Sequence, residues 1–264
     1  MVTGKVVVIT GASGGIGATL ARQLAESGNR VVVAARREAE LRAVAAPYGE
    51  NARVVVADVR HRADVERIRD EALAAYGHVD VWVNNAGRGI SKRVLDLTEH
   101  DFHEIMDVNV LSAILGMQAI VPHFQERGEG HLINVSSFLG RVPLATFRSA
   151  YNAAKAALNA LTANLRMDLA RDYPNIHVTL VMPGPVSTEF AVNSLGARPP
   201  AAPGLPLDRT PGGPPPQTAD EAAAAIVAVI AQPAPEIFTN PAQEPVAWAY
   251  VQDIAAFEAR LRGA

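Results

Sequence analysis

Tyr151 and Lys155 stand four residues apart in "SAYNAAKAALNAL", Ser149 to Leu161. On a helix that spacing puts a phenol and an ammonium on one face. An unperturbed tyrosine titrates near pH 10. A lysine charge about 4 Å away favours tyrosinate by roughly 4 kcal/mol at an effective dielectric near 20. At about 1.4 kcal/mol per unit, that lowers the phenol by up to about 3 units before burial opposes it. A phenol brought near neutrality can pass a proton in either direction. The same pair also reads as packing, with the tyrosine at the core edge and the lysine stem snorkelling to water. The small neighbours Ala150, Ala153, Ala154 and Ala156 would let this helix lie close to a sheet or a ligand.

A second chemical feature lies near the start, in "VVVITGASGGIGATLARQL". Gly11, Gly15 and Gly17 fall between an apolar run and an Ala/Leu-rich helical stretch. Glycines there allow a tight turn and bring backbone N–H groups up to a phosphate at the helix N-terminus. The spacing is G-x-x-x-G-x-G rather than the commoner G-x-G-x-x-G. The common fingerprint expects an acid about 20 residues on, accepting from a ribose hydroxyl. Here Ala35 holds that place, and Arg36 and Arg37 follow. Guanidinium groups suit a 2′-phosphate, so NADP(H) is favoured over NAD(H). Arg36 is the stronger candidate, because Glu38 competes for Arg37; Ser13 adds a hydroxyl from the turn. Asp58, after the third apolar run, is placed to accept from an adenine amino group.

These groups need a frame. Six runs, beginning at Lys5, Arg30, Ala52, Val79, Gly130 and Ile176, are rich in β-branched residues and separated by helical stretches. They do not alternate polar with apolar, so both strand faces should be buried, as in a parallel sheet. Strand alternating with helix predicts an α/β fold, a doubly wound Rossmann-type sheet flanked by helices. Residues 1–264 read as a single domain. The Pro/Gly-rich stretch 194–217 excludes helix and central strand. Only some 47 residues follow it, as helix, "EIFTN" strand and one final helix. It therefore reads as a substrate loop near the carboxyl ends of the strands rather than an interdomain linker. Leu195, Leu205 and Leu207 outweigh its few charges and favour an apolar substrate. Trp248, Tyr250, Val251, Ile254, Phe257 and Leu261 on the final helix read as core-docking residues.

Composition bounds the rest. With 24 basic and 27 acidic residues the net charge is −3, which gives no basic field for nucleic acid. The absence of cysteine removes thiol chemistry and disulfides. Seven scattered histidines, with only His100 and His103 close together, predict no metal site. "MVTGKVVVIT" is too short and too polar for a signal peptide. No stretch reaches the ~18 apolar residues of a transmembrane segment. A cytoplasmic protein is expected.

Taken in order, "TGASGGIG", "NNAG" (Asn84 to Gly87), "NVSS", "YNAAK" and "PGPVST" resemble the motifs of the short-chain dehydrogenase/reductase family, in its compact single-domain branch. The resemblance implies hydride transfer between a nicotinamide cofactor and a small alcohol or ketone. It makes Tyr151 the general acid/base and Lys155 its activator and a ribose ligand, with Ser137 on the substrate oxygen. Asn109 in "DVNVLS" would hold a water and Lys155 in a proton relay. Ile16, Val59 and Asn85, Ala86 and Gly87 would line the cofactor. Pro183, Gly184, Val186 and Thr188 would receive its nicotinamide end. Ser137 rather than Ser136 fits the family's serine. The stretch from Ser137 to Tyr151 is one residue longer than usual, and the extra residue in "RVPLATFR" is expected to reshape the substrate pocket. Paired long helices near 101–124 and 151–172 imply a homodimer or homotetramer. The alternatives are a non-catalytic cofactor-binding regulator and a dehydratase or isomerase on the same fold.

Overall fold

The β-branched runs form strands and the periodic stretches form helices, each strand followed by one helix or two. The computed structural model describes residues 2–190, 193–196 and 216–261. The order begins β1 (Val6–Thr10), α1 (Gly15–Glu26), β2 (Arg30–Ala35), α2 (Glu38–Ala45), β3 (Ala52–Val56), α3 (Arg62–Tyr76) and β4 (Val81–Asn84). It continues α4 (Glu99–Met106), α5 (Ser112–Arg127), β5 (Gly130–Val135), α6 (Ser149–Ala170) and β6 (Ile176–Met182). The chain ends α7 (Ala219–Ala231), β7 (Glu236–Phe238), α8 (Glu244–Gln252) and α9 (Ile254–Leu261).

The strands make one parallel sheet in the order β3-β2-β1-β4-β5-β6-β7. The period of two along each strand divides the core. Val6, Val8, Val32 and Ala34 face α3, α5 and α6, whereas Val7, Ile9, Val31 and Val33 face α1, α2 and α7. Two covered faces explain the unbroken apolar runs. The edge strand β3 departs from this: Arg53 is exposed and pairs with Glu71, and Val56 is exposed. Because β1 pairs with both β2 and β4, successive crossovers leave it in opposite directions. A crevice opens there at the carboxyl ends of the strands.

Three sequence expectations change. The final helix is two helices, α8 and α9, broken at Asp253, whose carboxylate accepts from Ala256 N at 2.9 Å as an N-cap does. Phe257 docks on the core and Tyr250 and Leu261 pack partly, but Trp248, Val251 and Ile254 stay exposed. On α6, Ala150 and Ala154 are buried, whereas Ala153 and Ala156 face outward. The continuous helix Glu99–Arg127, α4 and α5 joined by a π-helical turn at Asp107–Leu111, is long and apolar enough to cross a membrane. However, 61 % of its apolar window is buried within the fold, as befits a core helix.

Residues 197–215 of the Pro/Gly-rich stretch lie outside the described residues. Its flanks are tied to the same end of the sheet. Leu195 N donates to Gly89 O at 2.9 Å, and Gln217 N donates to Pro185 O at 2.9 Å.

Candidate active site

The crevice is a cavity of about 1020 Å³ running from the glycine turn to the start of α6. Its glycine end is built by close approach. Gly11 has φ +68°, and a Cβ there would lie 2.8 Å from Ala86 Cα, so the turn fits against the end of β4 only without a side chain. The α1 helix has Gly14 at its N-cap and no side-chain cap, leaving its first N–H groups free toward the cavity. Across the opening, Thr188 stands 3.4 Å from the position of a Gly15 Cβ.

Ser13, Gly15, Ile16, Arg36, Arg37, Asp58, Val59, Asn85, Ala86 and Gly87 all line this cavity, as do Pro183, Gly184, Val186 and Thr188. Gly17 does not. A Cβ there would meet Asn85 Nδ2 at 2.5 Å, so this glycine lets α1 seat against the β4 loop. Asn85 Nδ2 in turn donates to Thr10 O at 2.9 Å, locking β1 to β4.

The two arginines are arranged differently from the sequence expectation. Glu38 pairs with Arg42, not with Arg37. Arg37 instead crosses the turn, donating from Nε to Ser13 Oγ and from Nη2 to Ser13 O, both at 3.2 Å. Arg36 is exposed beside Asp58, whose pKa is held below the ordinary range chiefly by its hydrogen bond from Arg60. Arg60 bridges Asp58 at 2.7 Å and Glu104 at 2.8 Å. A carboxylate has about four lone-pair sites, so Asp58 can still accept from a further donor.

At the other end, Ser137, Tyr151 and Lys155 share one wall. Ser137 begins the turn after β5, and its Oγ accepts from Leu139 N at 3.1 Å. Ser136 also borders the cavity, but its hydroxyl is engaged with Asn159 Oδ1 and Lys155 O. Lys155 Nζ donates to Val135 O at 2.9 Å and stands 5.6 Å from the centre of the Tyr151 ring. Asn109, in the π-helical turn, lies behind the wall rather than on it. Its amide donates to Arg88 O and Ile105 O, both at 2.9 Å. A Cβ on Gly87 would lie 2.8 Å from Asn109 Oδ1 and 3.5 Å from Lys155 Nζ, so the three residues meet at one point.

The electrostatics correct one expectation. Tyr151 is not brought to neutrality in this structure; burial pushes it up to about 12, against smaller opposing effects of Ser137 and Arg148. Lys155 is itself driven down to about 7 by burial. Removing a charged group from water outweighs the attraction that the i,i+4 spacing offers. The cation that favours the phenolate is Arg148, three residues before Tyr151. Sequence reading passed over it; it stands at the N-cap, just before the helix that carries Tyr151. Arg148 donates to Ser194 Oγ at 2.6 Å and lies over the rings of Phe147 and Phe190. Gln243, Val246 and Leu261 also line the cavity, from a part of the chain where no motif marked them. Leu144 to Arg148 line it too, within the lengthened segment expected to shape the pocket.

The residues fit a dinucleotide: a glycine-rich turn, helical N–H groups without a side-chain cap and two arginines stand at one end, and a polar triad stands at the other. A sequence profile described as short chain dehydrogenase matches residues 5–198. An uncharacterised oxidoreductase of Staphylococcus epidermidis is 35 % identical over 184 residues, 70 % of this chain and 79 % of that one. A short chain dehydrogenase/reductase from Burkholderia phymatum, in complex with NAD, superposes with a TM-score of 0.83 at 27 % identity, covering 96 % of this chain and 94 % of that chain. A short chain dehydrogenase from Burkholderia cenocepacia, in complex with NADP, gives 0.79 at 29 % identity and 98 % of both chains.

Proposed function

Because the chain belongs to the short-chain dehydrogenase/reductase family, we propose that it interconverts an alcohol and a carbonyl compound using NADP(H). The observation that carries this reading is the placement of Ser137, Tyr151 and Lys155 on one wall of the cavity that also holds the glycine turn. A nicotinamide dinucleotide, when bound, supplies or accepts the hydride. The chain must hold the reacting carbon, polarise its oxygen and move one proton.

Ser137 holds the substrate oxygen. Tyr151 gives its hydroxyl proton to that oxygen in reduction and recovers it in oxidation. A phenol at about 12 keeps its proton at neutral pH, which suits donation; Arg148 limits the cost of the phenolate that donation leaves. Lys155, brought to about 7, exists as both amine and ammonium near neutrality and can return a proton to Tyr151. Asn109 fixes the Gly87–Arg88 turn against Lys155 and is proposed as a positioning member of the relay. The apolar side chains of Phe138, Leu139, Leu144, Phe147 and Phe190 wall the space beyond the triad, so the substrate body is apolar.

The test is turnover of a panel of ketones with NADPH, followed as loss of reduced-cofactor absorbance. Reduction of at least one ketone, abolished in Tyr151→Phe, is the expected result. Tight NADPH binding with no turnover across the panel would make the protein a cofactor-binding regulator instead.

A further inference from the structure

Gln243 ends the short turn Pro241–Gln243 that leads into α8. The turn is set by Asn240, whose Oδ1 accepts from Ala242 N at 3.1 Å. The residue is 3 % exposed, yet its Oε1 has no hydrogen-bond partner among the described residues. A buried amide oxygen left unpaired costs about 1–3 kcal/mol, so such a group is usually kept for a ligand or a water. Gln243 lines the cavity, and its amide lies on the backbone of Gly184, where a Cβ would fall 2.6 Å from Gln243 Cδ. Gly184 is therefore a glycine because of Gln243.

The surroundings place this amide on the substrate side. Pro183 O, beside Gly184, accepts from Phe138 N at 2.8 Å, and Phe138 follows Ser137 directly. Around it the wall is apolar, formed by Phe138, Leu144, Val246 and Leu261.

We propose that the unpaired, buried Gln243 amide reads a second polar group on the substrate, a hydroxyl other than the one formed at the reacting carbon, carried on an otherwise apolar body. This deepens the carbonyl-reductase reading and rests on it. The oxygen is itself fully buried in this structure, so it accepts the substrate hydroxyl after a rotation about the last side-chain torsion turns it to the cavity, while the wall around it takes the apolar remainder. A site built to pair with a hydroxyl discriminates against the analogue lacking it more strongly than an apolar pocket discriminates by size.

The probes are acetophenone and its side-chain- and ring-hydroxylated forms, with NADPH, against wild type and Gln243→Leu. Wild type is expected to favour one hydroxylated ketone in kcat/KM by about tenfold or more over acetophenone. In Gln243→Leu the ratio of kcat/KM between the hydroxylated ketone and acetophenone falls toward one, and the NADPH Kd is unchanged. Gln243→Ala serves if the leucine variant does not fold. A preference surviving the substitution overturns the proposal, as does a wild type indifferent to the hydroxyl or a variant that loses only NADPH affinity. Should wild type reduce none of the ketones, the hydride-transfer reading fails alone. Calorimetric titration of the same ketones into the protein with NADP⁺ then reads the Gln243 preference as a ratio of Kd values, with the same outcomes deciding it.

Discussion

Arg37 lies over the glycine turn with its guanidinium on Ser13, Nε to Oγ and Nη2 to the carbonyl, both at 3.2 Å. Ala35, two residues earlier, offers no carboxylate, and Arg36 projects to the Asp58 side. Both guanidinium groups line the cavity and are expected to meet a ribose 2′-phosphate, Arg37 oriented by Ser13 but also paired with Glu40 at 3.5 Å and Glu189 at 3.9 Å. Hydrogen bonds to charged groups contribute about 1.5–3 kcal/mol each, which sets an expected preference for NADPH over NADH of roughly 10- to 100-fold. Arg37→Gln should weaken NADPH at least as much as Arg36→Gln, leaving NADH nearly unchanged. Ala35→Asp combined with Arg36→Gln should reverse the preference. Fluorescence titration with both reduced cofactors measures this; equal affinities in the wild type would make both arginines surface residues.

Tyr151 and Ser137 give the second prediction. Tyr151→Phe removes a hydroxyl from a ring that otherwise packs beside Phe190, centroids 5.5 Å apart. Melting temperature and NADPH affinity should be retained, while kcat falls by about 10²–10⁴, as for loss of a general acid. Ser137→Ala should lower turnover without altering cofactor affinity. Ser136→Ala should instead lower the melting temperature, because the Ser136 hydroxyl, although at the cavity's edge, is spent on Asn159 and the Lys155 carbonyl. Steady-state kinetics with melting curves separates the two serines.

The first six strands, the parallel sheet they form and the glycine turn after β1 were legible because each rests on a local signal. Apolar runs mark β1 to β6, and glycines mark places where backbones must touch. What escaped was non-local. Glu38 pairs with Arg42, while Arg37 crosses the turn to Ser13 and pairs with Glu40 and Glu189, an arrangement that neighbouring residues in sequence do not report. The tyrosine's titration depends on burial, which i,i+4 spacing does not report. Gln243 reaches the cavity only because β7 returns the chain beside β6. Trp248, on α8, is exposed although its place in an apolar stretch read as core.

The outward face of α6 supports the expected self-association. Ala153, Ala156, Ala160 and Met167 are exposed along it, and Leu111 and Phe102 are exposed on the neighbouring helix Glu99–Arg127. Small residues along a helix let a second copy pack closely, and a symmetric pairing would cover the apolar strip twice. Light scattering at micromolar concentration should give a dimer or tetramer mass. Ala156→Arg should shift it toward monomer while leaving the fold intact by circular dichroism. A monomer mass for the wild type would remove the homo-oligomer from the reading.

Lys155 sets proton chemistry against stability. Its buried amine titrates at about 7 in the fold, against 10.5 for the unperturbed side chain. Between those values the unfolded chain holds a proton that the folded chain does not, so this residue makes stability rise with pH across that window. Below about pH 7 the burden of the buried charge is present in full; above about 10.5 it is absent. Lys155→Met removes it. The variant should melt above the wild type near pH 7, by roughly 2–4 °C for each kcal/mol restored, and the difference should shrink toward pH 10. The same substitution should abolish most turnover and weaken NADPH binding, since the relay and a ribose contact are lost together. Melts of both proteins without cofactor at the two pH values are the measurement. A difference of the same size at both would mean that Lys155 stays charged throughout, and the proton return assigned to it would fall.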